Sequence, residues 1–169
     1  CAGLQQHICQ LQQENGMRSA SIGNKELKDQ HQHMRGDQIY WLDKSHDNIF
    51  EQEFLQQVDE FIAYLNQTCY TGINASEFHY AVYEEGAGYK RHLDQFRNDG
   101  NRKFSLINYL NTDWLDTDGG QLLVYPDAGM QQIQPQAQSA VFFNSAEMEH
   151  EVCAARRQRM SITGWLKKV

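Results

Sequence analysis

At Ala75 the spacing of apolar residues changes from a helical period to alternation, and the alternation continues to the end of the chain. Short runs separated by turn residues follow one another: Glu77 to Tyr83, a run carrying His92, Phe104 to Asn111, Gln121 to Tyr125, Ala140 to Phe143 and Arg159 to Leu166. The turns between them are rich in Gly, Asn and Asp, as in Glu84-Glu85-Gly86-Ala87-Gly88, Asn98-Asp99-Gly100-Asn101 and Asp116-Thr117-Asp118-Gly119-Gly120. That series predicts a mainly β (α+β) chain built on an antiparallel barrel or sandwich. Ahead of it, Phe50, Phe54, Val58, Phe61, Ile62 and Leu65 fall at i, i+4, i+8, i+11, i+12 and i+15. They predict a helix capped by Asp47 or Asn48 that buttresses one face of a sheet. Leu4, Ile8 and Leu11 predict a shorter amphipathic helix. Between the two helices, Ser19 to His33 is polar and without period, the pattern of a long loop that is either a mobile lid or disordered. Ile39, Trp41 and Leu42 predict a strand within Met34 to Asp43, after an Arg35-Gly36-Asp37 turn.

A chain of 169 residues supports one domain with a real core, here 1–70 as helical support with a mobile loop and 71–169 as the barrel. The net charge of −7 argues against nucleic acid as a partner. No apolar run approaches the ~18 residues of a membrane span, and no leader opens the chain, which begins at Cys1. The expectation is a soluble protein without a membrane partner. Cys1, Cys9, Cys69 and Cys153 form no CxxC pair and no dense framework. A reducing, cytoplasmic setting is the expectation that follows.

The chemistry-bearing stretch is Tyr89-Lys90-Arg91-His92-Leu93-Asp94. On an extended strand His92 and Asp94 project to one side and can grip one ion, with His150 as the third ligand. Two imidazoles and one carboxylate on one face of an octahedral ion leave positions open, as in non-haem Fe(II) oxygenases. A His-x-Asp pair also arises by chance, and the same set can serve a zinc hydrolase. On the last strand Met160, Ile162 and Leu166 share one face, and Arg159, Ser161, Thr163 and Trp165 the other. A solvent-facing surface is one reading of that second face. If it lines a barrel, Arg159 needs an anion, and its planar fork suits a carboxylate. The same parity groups Tyr109 with Ile107, and Tyr83 with Ala81 and His79. A buried tyrosine beside Arg159 would share such a carboxylate, although each Tyr taken alone reads as core and His79 as packing.

From Phe78 to Trp165 the chain resembles the prolyl hydroxylases of the iron- and 2-oxoglutarate-dependent oxygenase superfamily. The likeness is to the type that modifies hypoxia-inducible factor and to its bacterial relatives. The residues that carry it are Tyr83, Gly86-x-Gly88-Tyr89-x-Arg91-His92-x-Asp94, Tyr109-Leu110-Asn111-x-Asp113-Trp114, Gly119-Gly120-x-Leu122, His150-Glu151-Val152 and Arg159-x-x-Ile162-Thr163-x-Trp165. Arg35-Gly36-Asp37-x-Ile39-x-Trp41 extends it towards the N-terminus. The resemblance implies a double-stranded β-helix (jelly-roll) core, with Fe(II) on His92, Asp94 and His150. It implies 2-oxoglutarate held by Arg159 and Tyr109, in a pocket lined by Thr163, Tyr83, Ile107, Leu122, Val152 and Trp165, with ascorbate as a supporting reductant. The partners it implies are dioxygen and a proline-containing protein or peptide, met by Arg35, Asp37, Trp41 and Arg91. The turn between Tyr83 and His92 is one residue shorter than in the animal enzymes, at a place where the target would meet the protein. A free amino acid, a small molecule or a non-proline side chain therefore stays open as the substrate, and so does a binding barrel without chemistry.

Overall fold

The computed structural model describes residues 1–20, 35–95 and 100–169. Two α-helices among these residues, α1 (Ala2–Gln13) and α2 (Ile49–Cys69), and a short 3-10 helix at Asp116–Asp118 accompany ten strands. The strands are β1 (Arg18–Ser19), β2 (Asp37–Trp41), β3 (Ala75–Tyr83), β4 (Tyr89–His92), β5 (Arg102–Tyr109), β6 (Leu122–Val124), β7 (Gln131–Ile133), β8 (Ala140–Asn144), β9 (His150–Val152) and β10 (Arg159–Lys167). They form a six-stranded sheet in the order β1-β2-β3-β10-β5-β8 and a four-stranded sheet in the order β4-β9-β6-β7. Every pairing is antiparallel. Apart from Ser19 and Ala20, the loop expected from Ser19 to His33 lies outside the described residues, as do Asn98 and Asp99 of one expected turn.

Period-two alternation divides the large sheet into two functional faces. Phe78, Tyr80 and Val82 of β3, Leu106 of β5, and Ile162 and Leu166 of β10 pack with Ile8, Leu11, Leu55, Val58 and Leu65 of the helices. The opposite face of the same strands carries His79, Ala81, Tyr83, Ile107, Arg159, Thr163 and Trp165 to a cavity between the sheets. One face is thus closed by hydrophobic burial against α1 and α2, which leaves the other free to hold polar groups. The parity expected for the last strand is the one observed.

Asn48 caps α2, its side-chain oxygen accepting from the backbone N–H groups of Phe50 and Glu51 at 3.0 and 3.1 Å. Phe50, expected at the helix's buried face, is exposed, and Glu51 beside it is fully buried. The reason is α1: His7 meets one Glu51 oxygen at 3.1 Å and His46 meets the other at 2.7 Å. α1 also runs its Gly3 against the Phe50 ring, where a Cβ would lie 2.5 Å from it. At the other end Tyr70 takes φ 53° and Asn66 holds the turn. The Asn66 side chain accepts from Thr71 and from the Ile73 N–H and donates to the Ile73 carbonyl, delivering the chain into β3.

Candidate active site

The cavity between the sheets measures about 240 Å³. At its centre one ligand atom each from His92, Asp94 and His150 lie within 4.8 Å of one another. His92 ends β4 and His150 begins β9, and the two are direct cross-strand partners. A register shift between Tyr89 and His92 breaks simple alternation, so both side chains line the cavity. Their rings stack with centroids 3.7 Å apart. Gly88 lets the two strands approach, since a Cβ there would lie 2.6 Å from the Val152 carbonyl oxygen.

Asp94 corrects the strand argument. β4 stops at His92, and Asp94 reaches the cluster from a bend beyond the strand, not by alternation along it. The bend is held by the Gln95 N–H on the Ser145 carbonyl at 3.1 Å and by Arg102, which donates to the Asp94 carbonyl at 3.4 Å.

Backbone carbonyls set both imidazoles. His92 Nδ1 lies 2.7 Å from the Lys90 carbonyl and His150 Nδ1 lies 3.0 Å from that of Met148, so each Nδ1–H donates outward and Nε2 faces the cluster. Burial, with the neighbouring His92, lowers the His150 pKa against the pull of Asp94, which favours the neutral ring. Burial acts to raise the Asp94 pKa, but His92, His150 and the Ser105 hydroxyl outweigh it and hold the carboxyl below its usual range. Where both Nε2 atoms present a lone pair, they and the Asp94 carboxylate converge with no proton between them. A divalent cation relieves that repulsion, so the donor set fits a metal on its own chemistry.

Deeper in the cavity Arg159 is 1% exposed and has no carboxylate partner among the described residues. Its Nε donates to the Gly120 carbonyl at 2.9 Å, and its guanidinium lies 5.2 and 5.1 Å from the Tyr83 and Tyr109 ring centres. Arg159 Nη2 and the Tyr109 hydroxyl are buried without a hydrogen-bond partner among the described residues. Burial raises the pKa of both Tyr109 and Tyr83, so both stay protonated donors. A buried guanidinium without an acid, beside an orphaned phenol, is a receptor for a carboxylate. Ile107, Leu122, Val152 and Thr163 line the same cavity as Arg159 and the candidate ligands. Arg159 and the His92, Asp94 and His150 cluster therefore line one cavity, a carboxylate receptor and a candidate metal site together.

The mouth is aromatic and cationic. Trp41 is 46% exposed there and Leu93 41%. Trp41, His79 and Trp165 pack in series, with ring centres 4.9 Å apart for Trp41 and His79 and 5.5 Å for His79 and Trp165. Arg35 pairs with buried Asp37 at 2.6 and 2.8 Å and lies 5.1 Å from the Tyr89 ring centre. Asp37 thus supports Arg35 and does not itself line the cavity. Arg91 also stays off the cavity: it pairs with Glu149 and covers the Tyr125 ring at 3.8 Å. His79, which its sequence context marks as packing, lines the pocket. Burial and then the Arg35 charge push its imidazole down to about 3, so it is neutral. The signal available was its shared parity with Tyr83.

Comparison with known proteins follows the same residues. The profile of the 2OG-Fe(II) oxygenase superfamily matches residues 78–167. A Caenorhabditis elegans hypoxia-inducible factor prolyl hydroxylase is 33% identical over 142 residues, 78% of this chain. The chain spans about a fifth (20%) of that relative's length. Among solved structures, a Pseudomonas putida prolyl-4-hydroxylase superposes with a TM-score of 0.87 at 35% identity, covering 98% of this chain and 84% of that one. A Trichoplax adhaerens prolyl hydroxylase in complex with a hypoxia-inducible factor oxygen degradation domain peptide fragment superposes with the same TM-score of 0.87. Its identity is 26%, with 98% of this chain and 77% of that one covered.

Proposed function

The chain belongs to the 2OG-Fe(II) oxygenase superfamily, and from that premise we propose that it is a protein prolyl 4-hydroxylase. Fe(II) and 2-oxoglutarate are the cofactors of that family. The observation that carries the reading is the buried Arg159 guanidinium, without an acid partner among the described residues, in one cavity with the His92, Asp94 and His150 cluster. A zinc hydrolase would give Arg159 nothing to do.

His92 Nε2, His150 Nε2 and an Asp94 oxygen would hold Fe(II), and Arg159 with Tyr109 would hold the far carboxylate of 2-oxoglutarate. When bound, the pair supplies the oxidation, in which 2-oxoglutarate and dioxygen become succinate and carbon dioxide and one oxygen atom is placed on a proline ring carbon. The chain's own part is binding, orientation and exclusion of water. The Lys90 and Met148 carbonyls fix the imidazole tautomers, and the apolar walls Ile107, Leu122 and Val152 would exclude water from the co-substrate. Tyr109 and Tyr83 stay protonated and would donate to oxygen atoms of the co-substrate. Trp41, Trp165, Leu93 and Arg35 offer the proline and its flanking peptide an aromatic, partly exposed mouth.

The proline assignment is supported by the likeness to the Pseudomonas putida prolyl-4-hydroxylase over most of both chains. The four free cysteines suit a reducing, cytoplasmic location, and among the described residues no helix is long and apolar enough to cross a membrane. The test is mass spectrometry of proline-containing peptides incubated with the protein, Fe(II) and air. We expect a gain of one oxygen on proline that requires 2-oxoglutarate and is lost in Arg159→Met. Oxygen gain on free amino acids alone would move the substrate away from protein.

A further inference from the structure

Asp94 is the candidate ligand that no strand carries, so something else must hold its carboxylate. Ser105 of β5 and Ser145, just after β8, are both fully buried beside it. The two hydroxyls lie 2.8 Å apart, and Ser105 Oγ lies 2.6 Å from Asp94 Oδ2. The proton directions follow from donor capacity. An ionised carboxylate only accepts, so the Ser105 O–H donates to Oδ2. Its single proton is then used, so Ser105 Oγ accepts from the Ser145 O–H. Ser145 also grips the main chain of the bend, since its carbonyl accepts the Gln95 N–H, and its own N–H donates to the Lys103 carbonyl at 3.0 Å. Asp94 Oδ1 lies 3.4 Å from His92 Nε2 with no serine on it, whereas Oδ2, 3.6 Å from His150 Nε2, carries the Ser105 hydroxyl.

We infer that the Ser145–Ser105 relay is a positioning device that occupies Asp94 Oδ2 and leaves Oδ1 alone to bind the metal. The inference rests on the metal and co-substrate reading above. Its consequence is a count of open positions. An octahedral ion held by two imidazoles and one carboxylate oxygen keeps three positions, enough for a chelating 2-oxoglutarate and for dioxygen. If both Asp94 oxygens bound, two would remain, the chelate would fill them, and dioxygen would have none. Ser105 and Ser145 touch neither metal nor substrate, so they are positioning residues and not catalytic ones.

The test uses Co(II) in place of iron, because its visible absorption reports coordination number without turnover. Loss of an outer partner of a ligating group typically weakens metal binding about 10–100-fold. Ser105→Ala should therefore bind Co(II) ~10-fold or more weakly than the parent, with a Co(II) spectrum altered before any co-substrate is added. Its loaded form should also give a smaller spectral response to 2-oxoglutarate. Ser145→Ala should shift both readouts in the same direction by less, and it serves alone if thermal melts show Ser105→Ala to be unfolded. Parental affinity and an unchanged spectrum in the folded variants would overturn the relay. Failure of the parent itself to bind Co(II) would overturn the metal reading and the relay with it. No peptide is present, so an error in the proline assignment leaves these outcomes unaffected.

Discussion

Replacing Arg159 by Met separates two things that the buried guanidinium does. In the co-substrate-free protein Arg159 is a cation at 1% exposure with no carboxylate partner among the described residues, a costly arrangement. Met fills much of the same volume without charge and gives up the hydrogen bond to the Gly120 carbonyl, a net loss of about 1 kcal/mol. Relief of the unpaired charge offsets that loss, so the free variant should melt close to the parent. Binding behaves differently. The carboxylate of 2-oxoglutarate would enter the same buried place without its partner, and truncating one side of a buried charge pair costs about 2–5 kcal/mol. At about 1.4 kcal/mol per factor of ten, the expected weakening is ~30-fold to several-thousand-fold. Calorimetric titration of the Mn(II)-loaded protein with 2-oxoglutarate reads the affinity, and a melt at saturating co-substrate should show stabilisation in the parent alone. Mn(II) affinity should stay within a few-fold. A variant that bound 2-oxoglutarate within threefold of the parent, or that lost metal and co-substrate together, would refute the clamp.

Removing metal with a chelator should abolish hydroxylation, and Fe(II) should restore it where Zn(II) binds but does not, as turnover assays after each addition would reveal. For His79 the folded pKa lies near 3, below its unfolded value near 6.5, so the unfolded chain binds the extra proton between them. Its contribution to stability is therefore full above about pH 6.5 and falls as pH drops towards 3, by at most about 1.4 kcal/mol per pH unit for one proton. His79→Met should flatten the stability profile over that window in urea melts, and an unchanged slope would contradict the assignment. Gly88→Ala places a Cβ 2.6 Å from the Val152 carbonyl and should cost about 1–3 kcal/mol, with Co(II) affinity falling alongside the melting temperature as β4 and β9 separate.

What could be seen in advance was what alternation controls. The faces of β3 and β10 are regular, so the parity of Arg159, Thr163 and Trp165 against Ile162 and Leu166 was legible. So was the α2 stripe from Phe54 to Leu65, although its first turn was inverted by the docking of α1, which no local period encodes. β7 and β9 are three residues each, too short to show a period. The bulge that turns Tyr89 and His92 to one side, and the bend that brings in Asp94, break the rule used to pair His92 with Asp94. Ser105 and Ser145 lie 40 residues apart and meet only through β5–β8 pairing, although Ser105 shares its parity with Ile107 and Tyr109. Arg91 sits beside a ligand in sequence, yet its partner Glu149 holds it to the outer surface.

The central claim is that one cavity couples 2-oxoglutarate breakdown to oxygen transfer onto proline. A reaction run under isotopically heavy dioxygen, with peptide and succinate weighed together, tests it in one measurement. The account predicts one heavy oxygen on proline and one in succinate, in equal amounts. Ordinary-mass oxygen on the proline, or peptide product without matching succinate, would contradict it.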